Sequence, residues 1–315
     1  MAGRRLNIGL FALLALGAAL GACATSGGAS RAETPADVAR MKMAGELVSR
    51  GDWAEAFGLL NELHQQRPQD PQVLIWRGIV YRERGLLPDA ETDLREALKL
   101  APESPDAHAA LGILFDIQMR PGAEAEHREA VRLAPNNPAY LNNLGFSLFL
   151  REHFKEAIAE YEKAARLAPL SPRVRTNMGF AYAALGDLPR AAREFHMGGS
   201  EADAANNLGF AYERRGDMAN AYDLYLQSVR IDPTAGRARS NLVHAAIVLG
   251  RPVPPDAVVP APASSSVSPP ASSSVSPPVS SFPSPSASPS SSPSISSSAS
   301  LASPPDLAKQ PIATP

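Results

Sequence analysis

Between residues 37 and 249 the apolar residues come in short runs spaced at close to the helical period, and glycine, aspartate or proline closes each run. In the stretch 71–104, Leu74, Ile75, Gly78 and Tyr81 fall at helical spacing, and a second run follows Gly85. Such a pattern predicts pairs of amphipathic helices and an all-α chain. Small residues mark the pairs at fixed distances. A glycine, an alanine twelve residues on and a proline twelve further recur as Gly78, Ala90 and Pro102, as Gly145, Ala157 and Pro169, and as Gly209, Ala221 and Pro233.

Each of these residue types has a mechanical reading. A bulky residue stands four after each alanine, and the Gly/Ala pairs, Gly179/Ala191 among them, remove side-chain bulk so that the two helices can approach. Pro68, Pro102, Pro135, Pro169 and Pro233 are expected to end the second helix of a pair. Gly51-Asp52, Gly186-Asp187 and Gly216-Asp217 are expected to form the turn within a pair, with glycine left-handed and aspartate capping the next helix.

Placing the glycine at position 8 gives units at 37–70, 71–104, 105–137, 138–171, 172–201 and 202–235, then a half-unit at 237–249. That half-unit carries Leu242, Val243 and Ala246 at core positions and reads as a cap over the last apolar face. The third unit is one residue short, at Met119–Gly122. The fifth has 30 residues, runs into Met197–Ser200 and lacks its proline. Its second helix should be short and the row can bend there; the deletion is either harmless or marks a hinge or contact site.

This ladder resembles the tetratricopeptide (TPR) family, whose units read L-G-x2-Y…A-x3-F…P over about 34 residues. The resemblance implies a right-handed solenoid of about six helix-turn-helix units plus the capping helix. It also implies a concave surface built by the first helix of each unit, from positions near 2, 5, 6, 9, 12 and 13.

At those positions the chain divides. Position 6 is Lys42, Trp76 and Ala110, then Asn143, Asn177, Asn207 and Asn241; position 9 is Gly45, Ile79 and Ile113, then Phe146, Phe180, Phe210 and His244. A carboxamide carries donors and an acceptor, so an asparagine ladder can pair with a peptide backbone, and phenylalanines at the same pitch offer apolar anchorage. The expectation is a partner-binding groove over 138–250. Alternatively, the asparagines bond within the solenoid and the phenylalanines pack between helices.

The chain ends differ in composition. Arg4 and Arg5 precede an apolar run from Ile8 to Leu20, which leads to Leu20-Gly21-Ala22-Cys23. Charge, short apolar run and small residues make residues 1–22 a signal peptide, and Cys23 is the sole cysteine. The four residues resemble the lipobox of bacterial lipoproteins, which implies lipidation of Cys23. Ala24, where an inner-membrane protein of that family carries Asp, implies the outer membrane, facing the periplasm. An ordinary signal peptide with a chance cysteine, or a short membrane anchor, is the alternative. Residues 23–36 then form a lipidated tether, and 251–315 a Ser/Pro-rich tail too poor in large apolar residues to fold.

The 315 residues carry a formal net charge of −2, without the basic stripe that nucleic acid requires. Six scattered histidines and the one cysteine offer no metal-ligand spacing, and no phosphate loop or nucleophile elbow occurs. With signal, units and tail assigned, no segment remains for an enzyme domain. The expectation is a non-enzymatic scaffold without metal, cofactor or small-molecule substrate.

Leu141 to Leu148 and Ser171 to Met178 resemble the TPR lipoproteins of Tad-type (Flp) pilus assembly. Asp106 to Leu111 and Met119 to Pro121 resemble the pilotin lipoproteins of type IV pili. These resemblances imply secretin or pilus components as protein partners, with the membrane reached through the N-terminal lipid. A generic periplasmic scaffold for cell-envelope or peptidoglycan enzymes is the other reading.

Overall fold

The computed structural model describes residues 34–254, which form thirteen α-helices and no strand. Six antiparallel pairs follow one another. The first three are α1 (Pro35–Arg50) with α2 (Trp53–Gln66), α3 (Pro71–Glu83) with α4 (Leu87–Leu100), and α5 (Pro105–Ile117) with α6 (Ala123–Leu133). Then come α7 (Pro138–Leu150) with α8 (Phe154–Leu167), α9 (Pro172–Ala184) with α10 (Leu188–Gly198), and α11 (Glu201–Arg214) with α12 (Met218–Ile231). A last helix, α13 (Gly236–Leu249), has no second helix beside it among the described residues. The expected signal peptide, Cys23, most of the tether and the tail from residue 255 lie outside the described residues.

The helix ends follow from proline. α2, α4, α6, α8 and α12 each stop two residues before Pro68, Pro102, Pro135, Pro169 or Pro233. The residue between (Arg67, Ala101, Ala134, Ala168, Asp232) has φ from −129° to −138°, because a following proline disfavours the helical region. A second set of prolines starts helices. Pro71, Pro105, Pro138 and Pro172 open α3, α5, α7 and α9 directly after Asp70, Ser104, Asn137 and Ser171, whose side chains accept backbone N–H groups of the first turn. Capping boxes at Thr34/Asp37 and Ser200/Asp203 begin α1 and α11. The first helix therefore starts at Pro35, inside the segment expected to be tether.

The turn within each pair also repeats. Gly51, Gly85, Gly186, Gly216 and Gly250 stand at position 15 of their units with φ between 63° and 88°. In the third and fourth units Met119 (φ 51°) and Glu152 (φ 63°) hold the same left-handed seat. Asp187 and Asp217 cap α10 and α12 as expected. Asp52 does not cap α2; its carboxylate pairs with Arg50 at 3.1 Å instead.

The glycine ladder is a matter of contact. An added Cβ would stand 2.8 Å from Leu94 at Gly78, 2.7 Å from His127 at Gly112, and 2.7 Å from Tyr161 at Gly145. It would stand 2.5 Å from Phe195 at Gly179 and 2.8 Å from Tyr225 at Gly209. Each contact is the bulky residue four after the unit's alanine, so the glycine makes the hole that the facing helix fills. The cap obeys this rule by breaking it. Leu242 and Ala246 are buried as expected, but Val243 is 42 % exposed, because its position faces a second helix that α13 does not have among the described residues.

The odd-numbered helices pack on their own partner and on the next odd-numbered helix, while consecutive even-numbered helices show no comparable packing. The row therefore curves with the odd-numbered helices inside. α10 is 11 residues long against 14 for α8, as expected. Its last residue, Gly198, lies against the start of α9, where a Cβ would meet the Pro172 carbonyl at 3.1 Å.

Candidate functional site

The asparagines of position 6 occupy the inner layer in two different ways. Asn177 is 5 % exposed, and its Nδ2 donates to Oδ1 of Asn142 at 2.9 Å. Asn241 does the same two interfaces later, donating to Oδ1 of Asn206 at 3.0 Å. These two serve as struts between neighbouring units. Their acceptors, Asn142 and Asn206, occupy position 5, which the sequence reading placed on the concave surface without singling out these two residues. The available signal was the doublets Asn142-Asn143 and Asn206-Asn207, which set an acceptor about one repeat before a position-6 donor.

Asn143 and Asn207 differ. Asn143 is half-buried and makes no side-chain hydrogen bond among the described residues. Asn207 is also half-buried, and among the described residues its one side-chain hydrogen bond is a long one, accepted from Asn206 Nδ2 at 3.5 Å. Both retain hydrogen-bonding capacity toward the inner surface.

The phenylalanines divide likewise. Phe180 is buried at 8 % exposure, edge-on to Phe195 with centroids 4.9 Å apart and to Phe210 at 5.9 Å. It belongs to the packing between units. Phe146 and Phe210 are half-buried, and so is Phe149, whose ring lies 5.4 Å from Phe154. What the fold leaves accessible on the inner side of α7 and α11 is thus two carboxamides beside the half-buried rings of Phe146 and Phe210, with no charged residue at positions 6 or 9 of these two helices.

A buried polar cluster joins the third and fourth units. His127 fills the slot that Tyr161 and Phe195 fill elsewhere, and its Nε2 lies 2.9 Å from Asp116 Oδ2. The other carboxylate oxygen accepts from Ser147 Oγ at 2.9 Å and from Arg151 Nη1 at 2.8 Å. Burial pushes the Asp116 carboxyl up, but the bonds from His127, Arg151 and Ser147 outweigh it and hold the group below the usual carboxylate range. Serine, histidine and aspartate meet here, yet the hydroxyl bonds the carboxylate rather than the imidazole. All three are buried, at 0 %, 1 % and 6 % exposure. The arrangement is a joint, and sequence distance concealed it.

Among the described residues no three His, Cys, Asp or Glu side chains gather to hold a metal ion, and no helix is long and apolar enough to cross a membrane.

Comparison with known proteins agrees with this geometry. Tetratricopeptide repeat family models match residues 47–114, 138–171 and 176–236, together just over half of the chain. Over 92 residues the chain is 33 % identical to the type IV pilus assembly protein PilF of Pseudomonas aeruginosa, spanning 29 % of this chain and 36 % of that relative. The solved structure of PilW, a widely conserved type IV pilus biogenesis factor, superposes with a TM-score of 0.56 at 18 % identity, covering 66 % of this chain and 99 % of that one. The Cut9–Hcn1 tetramer of the APC/C gives 0.54 at 16 % identity, over 65 % of this chain and 42 % of that one. These two structures share the fold with this chain.

Proposed function

Because the chain belongs to the tetratricopeptide-repeat family, we propose that its solenoid captures a protein segment along the inner face of α7 to α13 and performs no catalysis itself. The observation that carries this reading is the pair Asn143 and Asn207, half-exposed beside Phe146 and Phe210 while their neighbours Asn177 and Phe180 are taken up by packing. Free carboxamides beside aromatic surface suit a segment that offers backbone groups and apolar anchors.

The setting of this capture is the cell envelope. Lipid on Cys23 holds the solenoid at the periplasmic face of the outer membrane, and the partner is a component of a pilus or secretion machine such as a secretin. The match to PilF, a type IV pilus assembly protein, supports this setting. The sparsely charged Ser/Pro tail supports a second reading, a scaffold for envelope or peptidoglycan enzymes whose tail threads the wall.

One experiment separates the two. The full-length lipidated protein is captured from its own membranes, and the co-purifying chains are identified. Secretin or pilus components, lost on Asn143→Ala with Asn207→Ala and Phe210→Ala, are the expected result. Wall enzymes alone would favour the second reading. Capture unaffected by the three substitutions would remove the groove from either.

A further inference from the structure

The break in the fifth unit sits at an apolar corner that the groove does not use. Because the pairs are antiparallel, each odd-numbered helix starts, and each even-numbered helix ends, at one edge of the row. α8 ends there at Leu167, the chain turns through Pro169 and Leu170, and α9 sets out from Pro172. Leu170 is 85 % exposed, more than any other large apolar residue among those described, and Leu167 is 46 % exposed. The shortened α10 adds Met197 in its last turn, at 52 %. Met197 is a neighbour in space as well, since a Cβ on Gly198 would stand 2.9 Å from Arg175 Cβ and 3.1 Å from the Pro172 carbonyl.

The charge at this corner leans to one sign. From Lys163 to Gly186 the chain carries Lys163, Arg166, Arg173 and Arg175 and no carboxylate. Lys163 and Arg175 pair with Glu160 and Glu194. Arg166 is exposed and enters no ion pair among the described residues. The same succession of a cation and an aliphatic residue recurs along the edge at Lys99-Leu100, Arg132-Leu133 and Arg230-Ile231. Carboxylates return on either side, at Glu103 and Asp106 and at Glu201 and Asp203, so the uncompensated positive charge is centred on the corner.

Exposed aliphatic side chains beside cations suit the boundary of an anionic bilayer, where the apolar groups enter the acyl region and guanidinium meets phosphate. The point at which the chain enters the solenoid says which surface is near. α1 starts after Thr34, on this same edge, and Cys23 stands eleven residues earlier, so covalent geometry holds a lipid on Cys23 within about 40 Å of the edge. We propose that this corner is a lipid-docking site, at which Leu167, Leu170 and Met197 dip into an anionic bilayer and Arg166 meets its phosphates. Docking there turns the opposite edge, which carries Met119 and Glu152, away from the membrane and presents the inner face sideways. The inference rests on the lipid anchor proposed above and adds which edge of the solenoid that anchor brings down.

The test uses the full-length lipidated protein in vesicles of equimolar phosphatidylethanolamine and phosphatidylglycerol. Lipidation occupies the Cys23 thiol, so Leu170→Cys and, on the opposite edge, Met119→Cys each supply one thiol for an environment-sensitive fluorophore. Quenching by spin-labelled acyl chains should be about fivefold stronger at position 170 than at position 119. Arg166→Glu, or vesicles of phosphatidylcholine alone, should cut the quenching at 170 by about twofold or more. Equal quenching at the two positions would overturn the proposal, and so would quenching at neither, which would leave the corner to a protein partner. The anchor is read separately. Uptake of the fluorophore by the parent chain reports a free Cys23 thiol and removes the anchor. The two positions are then compared on a Cys23→Ser chain added to the same vesicles, where stronger quenching at 170 keeps the docking site and equal quenching overturns it.

Discussion

At Gly179 an added Cβ would stand 2.5 Å from the Phe195 ring and 3.2 Å from the Ala191 carbonyl. One missing carbon therefore sets the spacing of two helices. Gly179→Ala should lower stability by about 1–3 kcal/mol, read as a drop of several degrees in the melting temperature by circular dichroism. The asparagines predict a contrast within one residue type. Asn177→Ala leaves the buried Asn142 amide without its donor and should cost about 1–3 kcal/mol. Asn143→Ala removes only a half-exposed group and should stay within about 0.5 kcal/mol. Equal losses in urea titrations would show that both are struts. The sequence displayed the ladder at position 6 but not this division, because exposure depends on which neighbour a side chain meets in the folded row.

At the level of the element, the left-handed seat at position 15 is common to every unit, including the two without glycine there. Met119 and Glu152 hold it at φ 51° and 63°, a region that costs a residue with a Cβ about 1 kcal/mol or more. Met119→Gly and Glu152→Gly should each stabilise the fold by roughly 0.5–1 kcal/mol, measured as a rise in the urea midpoint with unchanged slope. A fall would mean that the turn draws more from these side chains than from backbone relief. Turn glycines and terminating prolines were legible in the sequence because their effects are local. The cap expected at Asp52 was not, since Arg50 competes for the same carboxylate.

In the whole molecule, stability is carried from unit to unit, because each unit buries its apolar face only against its neighbours. The joint between the third and fourth units differs from the rest in resting on the Asp116 cluster. With its carboxyl held below the ordinary range, Asp116 contributes stability that is present above that range, about pH 4. This contribution is lost as pH falls through the lower folded value. Asp116→Asn should melt at a lower temperature near neutrality, and its curve should converge on that of the parent chain as the pH drops toward 2. Parallel curves over the whole range would show that the carboxylate's charge does not matter at this joint.

The sequence by itself determined the helices, their pairing, the units and the end of each second helix that a proline follows. These follow from periodicity and from backbone restrictions that glycine and proline impose wherever they stand. Tertiary structure decided which of the repeated residues remain available. Asn142 reaches Asn177 across 35 positions, Ser147 and Arg151 reach back to Asp116, and Val243 is 42 % exposed at a position that faces the second helix in the complete units. Such contacts depend on the stacking of one unit on the next, which brings together residues that no local pattern relates.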